Sequence, residues 1–145
     1  MRCQKFFDKK NTLFLSYLSF FAVFSFAYYF LSSKNSFYSG IIGIILIILY
    51  PVGAFFYGYK TGDRFRSPLA GIVSYTFLIL FISLLVNFQN PLSSGYLLLF
   101  AGYHLALLIC LGIIGFLASG REKLHLIAAG ILSVIWFLIF ISGIS

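Results

Sequence analysis

Few residues of this chain could carry chemistry. Its 145 residues hold three acids, two histidines and two cysteines. Asp8, Asp63 and Glu122 stand far apart, each beside basic residues, so no pair of carboxylates is set for acid–base work in the membrane. There is no HExxH, no phosphate-binding Gly-x4-Gly-Lys loop and no GxSxG. Cys3 and Cys110 fall at different depths and give no disulfide framework. What remains is His104, inside residues 67–120, a tract with no formal charge. An ionisable group at membrane depth is a functional hypothesis by default. Two readings stand side by side: a neutral imidazole bonded to a Ser, Thr or Tyr of a neighbouring helix, or a proton or substrate site. Metal ligation would need a second His, Cys or carboxylate at ligand spacing, and none is near; His125 falls at the end of another span. The sequence thus predicts no catalytic residue, no cofactor and no metal.

The elements that must position His104 follow from composition. The chain is 61% hydrophobic, 21% aromatic and 9% charged, against roughly 25% charged in a soluble domain. Residues 11–33, 35–59, 67–120 and 126–145 carry no formal charge. A bilayer-spanning helix needs about 20 apolar residues, so the third tract is long enough for two, and "NFQNPLSSG" (Asn87 to Gly95) breaks it at Pro91, with Ser93 and Ser94 as caps for the next helix. The prediction is an all-α membrane bundle of five transmembrane helices over 12–32, 39–59, 68–88, 95–118 and 124–144.

Of ten Lys and Arg residues, nine (Arg2, Lys5, Lys9, Lys10, Lys60, Arg64, Arg66, Arg121 and Lys123) then fall on one side, and only Lys34 on the other. Basic loops face the cytoplasm, which predicts a multi-pass cell-membrane protein with a cytoplasmic N-terminus and an extracytoplasmic C-terminus. The net charge of +7 reads as orientation and attraction to anionic head groups, not as nucleic-acid binding. Residues 1–35 form a basic terminus and first span. That segment also admits a signal-peptide reading, with "SFA" ending at Ala27 as a small-x-small cleavage site, which would leave four spans.

Residues 36–145 read as a duplicated two-helix unit, about 36–88 and 95–145. At an offset of 59, Gly43, Leu46, Leu49 and Gly53 fall on Gly102, Leu105, Leu108 and Gly112; Asp63-Arg64 falls on Glu122-Lys123; Ala70, Gly71, Ile72 and Ser74 fall on Ala129, Gly130, Ile131 and Ser133. A unit of two spans enters the membrane the same way each time, so the copies are parallel repeats and lack the inverted symmetry of many transporters. Gly62 and Gly120 are expected at the helix C-caps, and Ser67-Pro68 at the cap and first turn of the third span.

Helices associate in lipid through small residues. The second span has such a stripe in Gly40, Gly43, Ile47, Pro51, Ala54, Gly58 and Gly62; the fourth has two, Gly102, Ala106 and Cys110 on one face and Ala101, His104, Leu108, Gly112, Gly115 and Ser119 on the other. These faces predict a central position for the fourth span, with Leu107 and Ile114 turned to lipid.

The hairpin "VGAFFYGYKTGDRFRSPLAG", echoed by "LGIIGFLASGREKLHLIAAG", resembles small multi-pass membrane proteins of uncharacterised prokaryotic families with Gly-rich hairpins. The resemblance implies no activity and no site residues. The expected function is a non-enzymatic structural or accessory membrane subunit, packing against itself or a membrane-protein partner. The alternative is an oligomeric small transporter or channel component with His104 at an intramembrane polar site.

Overall fold

A polypeptide in lipid must satisfy its backbone within each segment, which leaves helix as the only form for isolated apolar tracts. The computed structural model describes residues 2–32, 34, 36–89 and 94–142. Among them are five helices and no strand: α1 (Arg2–Ser32), α2 (Ser36–Thr61), α3 (Arg66–Gln89), α4 (Ser94–Ser119) and α5 (Lys123–Ser142). Each contains a stretch long and apolar enough to cross a membrane, from Lys10–Ser32 in α1 to Lys123–Ser142 in α5. The predicted break at Pro91, with its cap at Ser93, lies outside the described residues, and Ser94 is the first residue of α4.

The two tight turns are built by identifiable side chains. Gly62 takes φ 59° and ends α2. In the other turn the positive φ falls on Arg121, at 58°, and not on Gly120 as expected. The predicted cap at Ser67 is also corrected. Asp63 caps α3, its Oδ1 accepting from the backbone N–H groups of Phe65 and Arg66, both at 3.1 Å. The first i→i−4 bond, Ser67 N to Asp63 O at 3.0 Å, already starts there, so Pro68 follows the first turn and can give no N–H to the Arg64 carbonyl.

Among the described residues α2 touches each of the other four helices, whereas α4 touches α2, α3 and α5. The centre of the bundle is therefore α2 as much as α4. The N-terminal part of α1 and both turns share one end. Lys10 lies 3.8 Å from Asp63, and Arg121 reaches the last turn of α2. That end carries the basic residues of both turns.

Close approach is concentrated where α2, α3 and α4 cross. A Cβ at Gly58 would stand 2.5 Å from the carbonyl oxygen of Gly115; one at Gly71 would stand 2.8 Å from that of Leu111; one at Gly115 would strike the carbonyl of Ser67. Ala54 is fully buried in the same crossing, 3.3 Å from the Gly71 position. Gly112 faces Ile72 and Gly43 faces Tyr28.

Other parts of the predicted stripes do not pack. Gly40, Gly102 and Ala106 are exposed, and a Cβ at Gly40 or Gly102 would meet nothing within 4 Å. Leu107 and Ile114, expected in lipid, are fully buried. The reason is angular. Positions 104, 107, 111, 114 and 118 recur every three or four residues and form one face, which adjoins the one holding Gly112 and Gly115, with Leu107 and Ile114 on its far side. Burial also does not follow the offset of 59 in the sequence. The buried Leu46, Tyr50, Ala54 and Tyr57 of α2 correspond to Leu105, Ile109, Ile113 and Phe116 of α4, all exposed.

Candidate functional site

The inward face of α4 carries His104 into the bundle, where 8% of its surface remains exposed. Nδ1 lies 2.8 Å from the hydroxyl of Tyr75 on α3. With a neutral imidazole, either the phenol donates to Nδ1 or Nδ1–H donates to the phenol oxygen, and one hydrogen bond results in both cases. Phe100 stands edge-on to the imidazole at 4.2 Å, with Tyr103 at 5.1 Å.

The contacts extend across all five helices. Tyr75, fully buried, meets Tyr50 of α2 edge-on at 5.4 Å and Trp136 of α5 at 5.7 Å. The Tyr50 hydroxyl lies 2.7 Å from Ser25 Oγ of α1, which itself donates to the Phe21 carbonyl at 2.7 Å. Trp136 Nε1 donates to the Leu107 carbonyl at 3.0 Å, and Tyr103 reaches the Phe140 carbonyl at 3.0 Å. Ser74 and Ser133 turn back onto their own helices, bonding Ala70 O at 2.6 Å and Ala129 O at 2.8 Å, as hydroxyls do where no water competes. An unmade bond on a buried polar group costs about 1–3 kcal/mol, so each of the pairings between helices fixes one against another.

Two hydroxyls depart from this rule. Those of Tyr17 and Tyr57 are buried with no hydrogen-bond partner. Tyr17 points at Gly53, whose Cβ would stand 2.9 Å from its oxygen. Ser74 of α3 lies beside the Tyr17 hydroxyl. Both tyrosines line a cavity of about 400 Å³ between α1 and α2. A second cavity of about 250 Å³, between α2 and α5, is walled by Ile48, Pro51, Val52, Ser133, Val134 and Phe137.

At the basic end, burial pushes the Asp63 carboxyl up. The N–H groups of Arg66 and Phe65 and the charges of Lys10 and Arg66 outweigh that and hold it below its ordinary value of 3.8. Arg66 Nε lies 3.9 Å from Asp63 Oδ2, and Glu122 lies 3.5 Å from His125 Nδ1.

Of the residues the sequence singled out, the structure brings together Ala54, Gly58, Gly112 and Gly115, places His104 on the same face of α4 and leaves Gly40, Gly102 and Ala106 outside. Sequence reasoning missed Tyr75, Tyr50, Ser25, Trp136 and Gly71. A signal existed, because a phenol or indole in mid-span needs a polar partner, but a single sequence does not say which helix supplies it. No group of three or more His, Cys, Asp or Glu stands together among the described residues. Comparison with protein-family models, curated proteins and solved structures finds no match to this chain.

Proposed function

We propose that this chain is a non-enzymatic integral membrane subunit, a rigid five-helix scaffold held by a polar and aromatic lock at its centre. The observation that carries this reading is the Tyr75–His104 contact. The imidazole of the α4 span is spent on a neighbouring helix and ringed by Phe100 and Tyr103. Ser25, Tyr50 and Trp136 are likewise bonded within the bundle.

The scaffold sits in the cell membrane with its basic end in the cytoplasm, following the excess of Lys and Arg there. The α2–α3 and α4–α5 hairpins descend from one duplicated unit. In support, Gly62 and Arg121, 59 positions apart, share a left-handed backbone, and Ser74 and Ser133 make the same bond four residues back. α1 is retained, since cleavage after Ala27 would remove the buried Phe21 and Ser25. The outward face of α4, with Leu105, Ile109 and Phe116, meets lipid or a membrane-protein partner.

A double-mutant cycle tests the lock. Tyr75→Phe and His104→Leu, alone and together, are compared by thermal unfolding in mild detergent. Contacting polar pairs couple by about 0.5–3 kcal/mol, so the double variant should lose less than the sum of the singles. Strict additivity would mean that the two residues do not hold each other.

A further inference from the structure

We propose that the outward seam of α1 docks one further transmembrane helix, from a partner with hydroxyl or carboxamide side chains in the cytoplasmic half of its span and acidic residues just beyond it. The proposal rests on the preceding reading of a membrane subunit and gives that subunit a docking surface and its partner a chemistry.

α1 lies at the edge of the bundle and touches only α2 and α3 among the described residues. Its 31 residues make a rod of about 46 Å, against a hydrocarbon core of about 30 Å. Thr12, Ser16, Ser19, Val23, Phe26 and Phe30 are all exposed. They stand four, three, four, three and four residues apart, the spacing by which one helix presents a continuous seam to another. Lys5 and Lys9 continue that spacing along the helix backbone, beyond the span Lys10–Ser32. The seam is therefore graded: basic outside the membrane, hydroxyl-bearing in the cytoplasmic half of the span, apolar and aromatic in the other half.

The hydroxyls point to what covers it. Ser25, Ser74, Thr76 and Ser133 each donate to the carbonyl four residues back. Ser16 and Ser19 make no hydrogen bond among the described residues. They lie about 9 and 14 Å inside Lys10 along the helix, at a depth where acyl chains offer no acceptor. Lipid leaves those two groups unmatched, whereas a helix bringing Ser, Thr, Asn or Gln to that depth bonds them. A second copy of this chain fits poorly. Both copies cross the bilayer in the same direction, so packing seam to seam would set Lys5 and Lys9 beside their own counterparts, and like charges in contact oppose association. Asp8 is the one acid among residues 1–10, against Arg2, Lys5, Lys9 and Lys10, and Lys10 lies 3.8 Å from Asp63 of its own bundle. The excess of positive charge at this end selects an acidic flank.

The full chain, carrying a fluorescent donor at its N-terminus, is reconstituted in phosphatidylcholine vesicles with single-span probe peptides that carry an acceptor at their charged end. The first probe is a polyleucine span with two threonines at the depth of Ser16 and Ser19 and a Glu-rich flank. A second exchanges the Glu flank for Lys, and a third exchanges the threonines for leucine. Energy transfer should saturate with the first probe and be weaker with the other two. Ser16→Ala combined with Ser19→Ala should weaken association with the first probe about sevenfold, the effect of two interhelical hydrogen bonds of average strength in lipid. Thr76→Ala, an exposed hydroxyl on α3 that bonds its own helix, should change nothing. Lys5→Glu combined with Lys9→Glu should reverse the preference between the Glu and Lys flanks. Equal transfer to the Lys-flanked probe, equal transfer to the threonine-free probe, or failure of the charge reversal would each overturn the assignment. Stronger transfer between two labelled copies of the chain than to the first probe would overturn it in favour of self-association. Melting temperatures of the serine variants should match the wild type, which separates a lost seam from a lost fold. The Tyr75–His104 lock is read by unfolding alone, so its failure and an empty seam are told apart.

Discussion

Gly62 and Arg121, one in each tight turn of the bundle, touch. Both are left-handed, with φ of 59° and 58°. The Arg121 guanidinium lies flat over Gly62, where a Cβ would stand 3.0 Å from Cζ. From there Nε donates to the Tyr59 carbonyl and Nη2 to the Lys60 carbonyl, both at 2.9 Å. One turn thus supplies the acceptor-seeking cation for the open end of α2, where helix carbonyls lack partners and the macrodipole favours positive charge. The other turn supplies the bare backbone that lets it approach.

Arg121→Ala should therefore lose the two bonds while keeping the unfavourable φ, at a cost of about 1–3 kcal/mol for hydrogen bonds of a charged group. Arg121→Gly loses the same bonds but removes the left-handed penalty of about 1–2 kcal/mol, so it should be the milder change. Thermal unfolding of the two variants side by side checks the order. Gly62→Ala should resemble Arg121→Ala, since it strains its own backbone and displaces the guanidinium.

Asp63 acts as a helix cap more than as an ion-pair partner. Asp63→Asn keeps an N-cap acceptor and loses partly exposed charge pairs worth about 0–1 kcal/mol. Asp63→Ala removes the cap, at about 0.5–2 kcal/mol. The carboxyl is held below its ordinary 3.8 in the folded protein. Its stabilising effect is therefore complete above that value and is lost as pH falls through the lower, folded one. Acid unfolding should be less steep below pH 4 in Asp63→Asn, and an unchanged acid limb would remove Asp63 from the account.

The packing predictions separate two faces of α4. Gly115→Leu should destabilise by at least the usual overpacking cost of about 1–3 kcal/mol, because the obstacle is the Ser67 backbone and cannot turn aside. Gly102→Leu, in open space, should be close to neutral. Leu107→Ala should cost about 2–5 kcal/mol, and Leu105→Ala, on the exposed side, much less. Chemical unfolding of the four variants in detergent micelles reads both comparisons.

The five helices were legible because uncharged length is a strong signal, but α1 begins at Arg2, ten residues before the span expected from 12, because its charged first turns continue the helix. The second-span glycines that pack, Gly43 and Gly58, were legible because spacing of three or four puts small residues on one face. Rotation of α4 was not. Two small-residue faces looked equally fit to pack, and only the docking of Gly115 on the Ser67 carbonyl and of Leu111 against Gly71 decides between them. The Tyr75 partner of His104 was open for a similar reason, since a hydroxyl in mid-span could have come from any neighbouring helix. Arg121 was hidden because glycine, at Gly120, was the expected left-handed residue, and only the bonds to Tyr59 and Lys60 explain why an arginine takes that backbone.

The central claim is that His104 locks the bundle and moves no proton. Its most direct test is the proton permeability of liposomes containing the wild-type chain or His104→Leu, with an imposed pH gradient and a dye trapped inside. The account predicts that the gradient decays at the same rate in both and in protein-free vesicles. A decay accelerated by the wild-type chain and abolished by His104→Leu would contradict it and make the Tyr75–His104 pair part of a proton path.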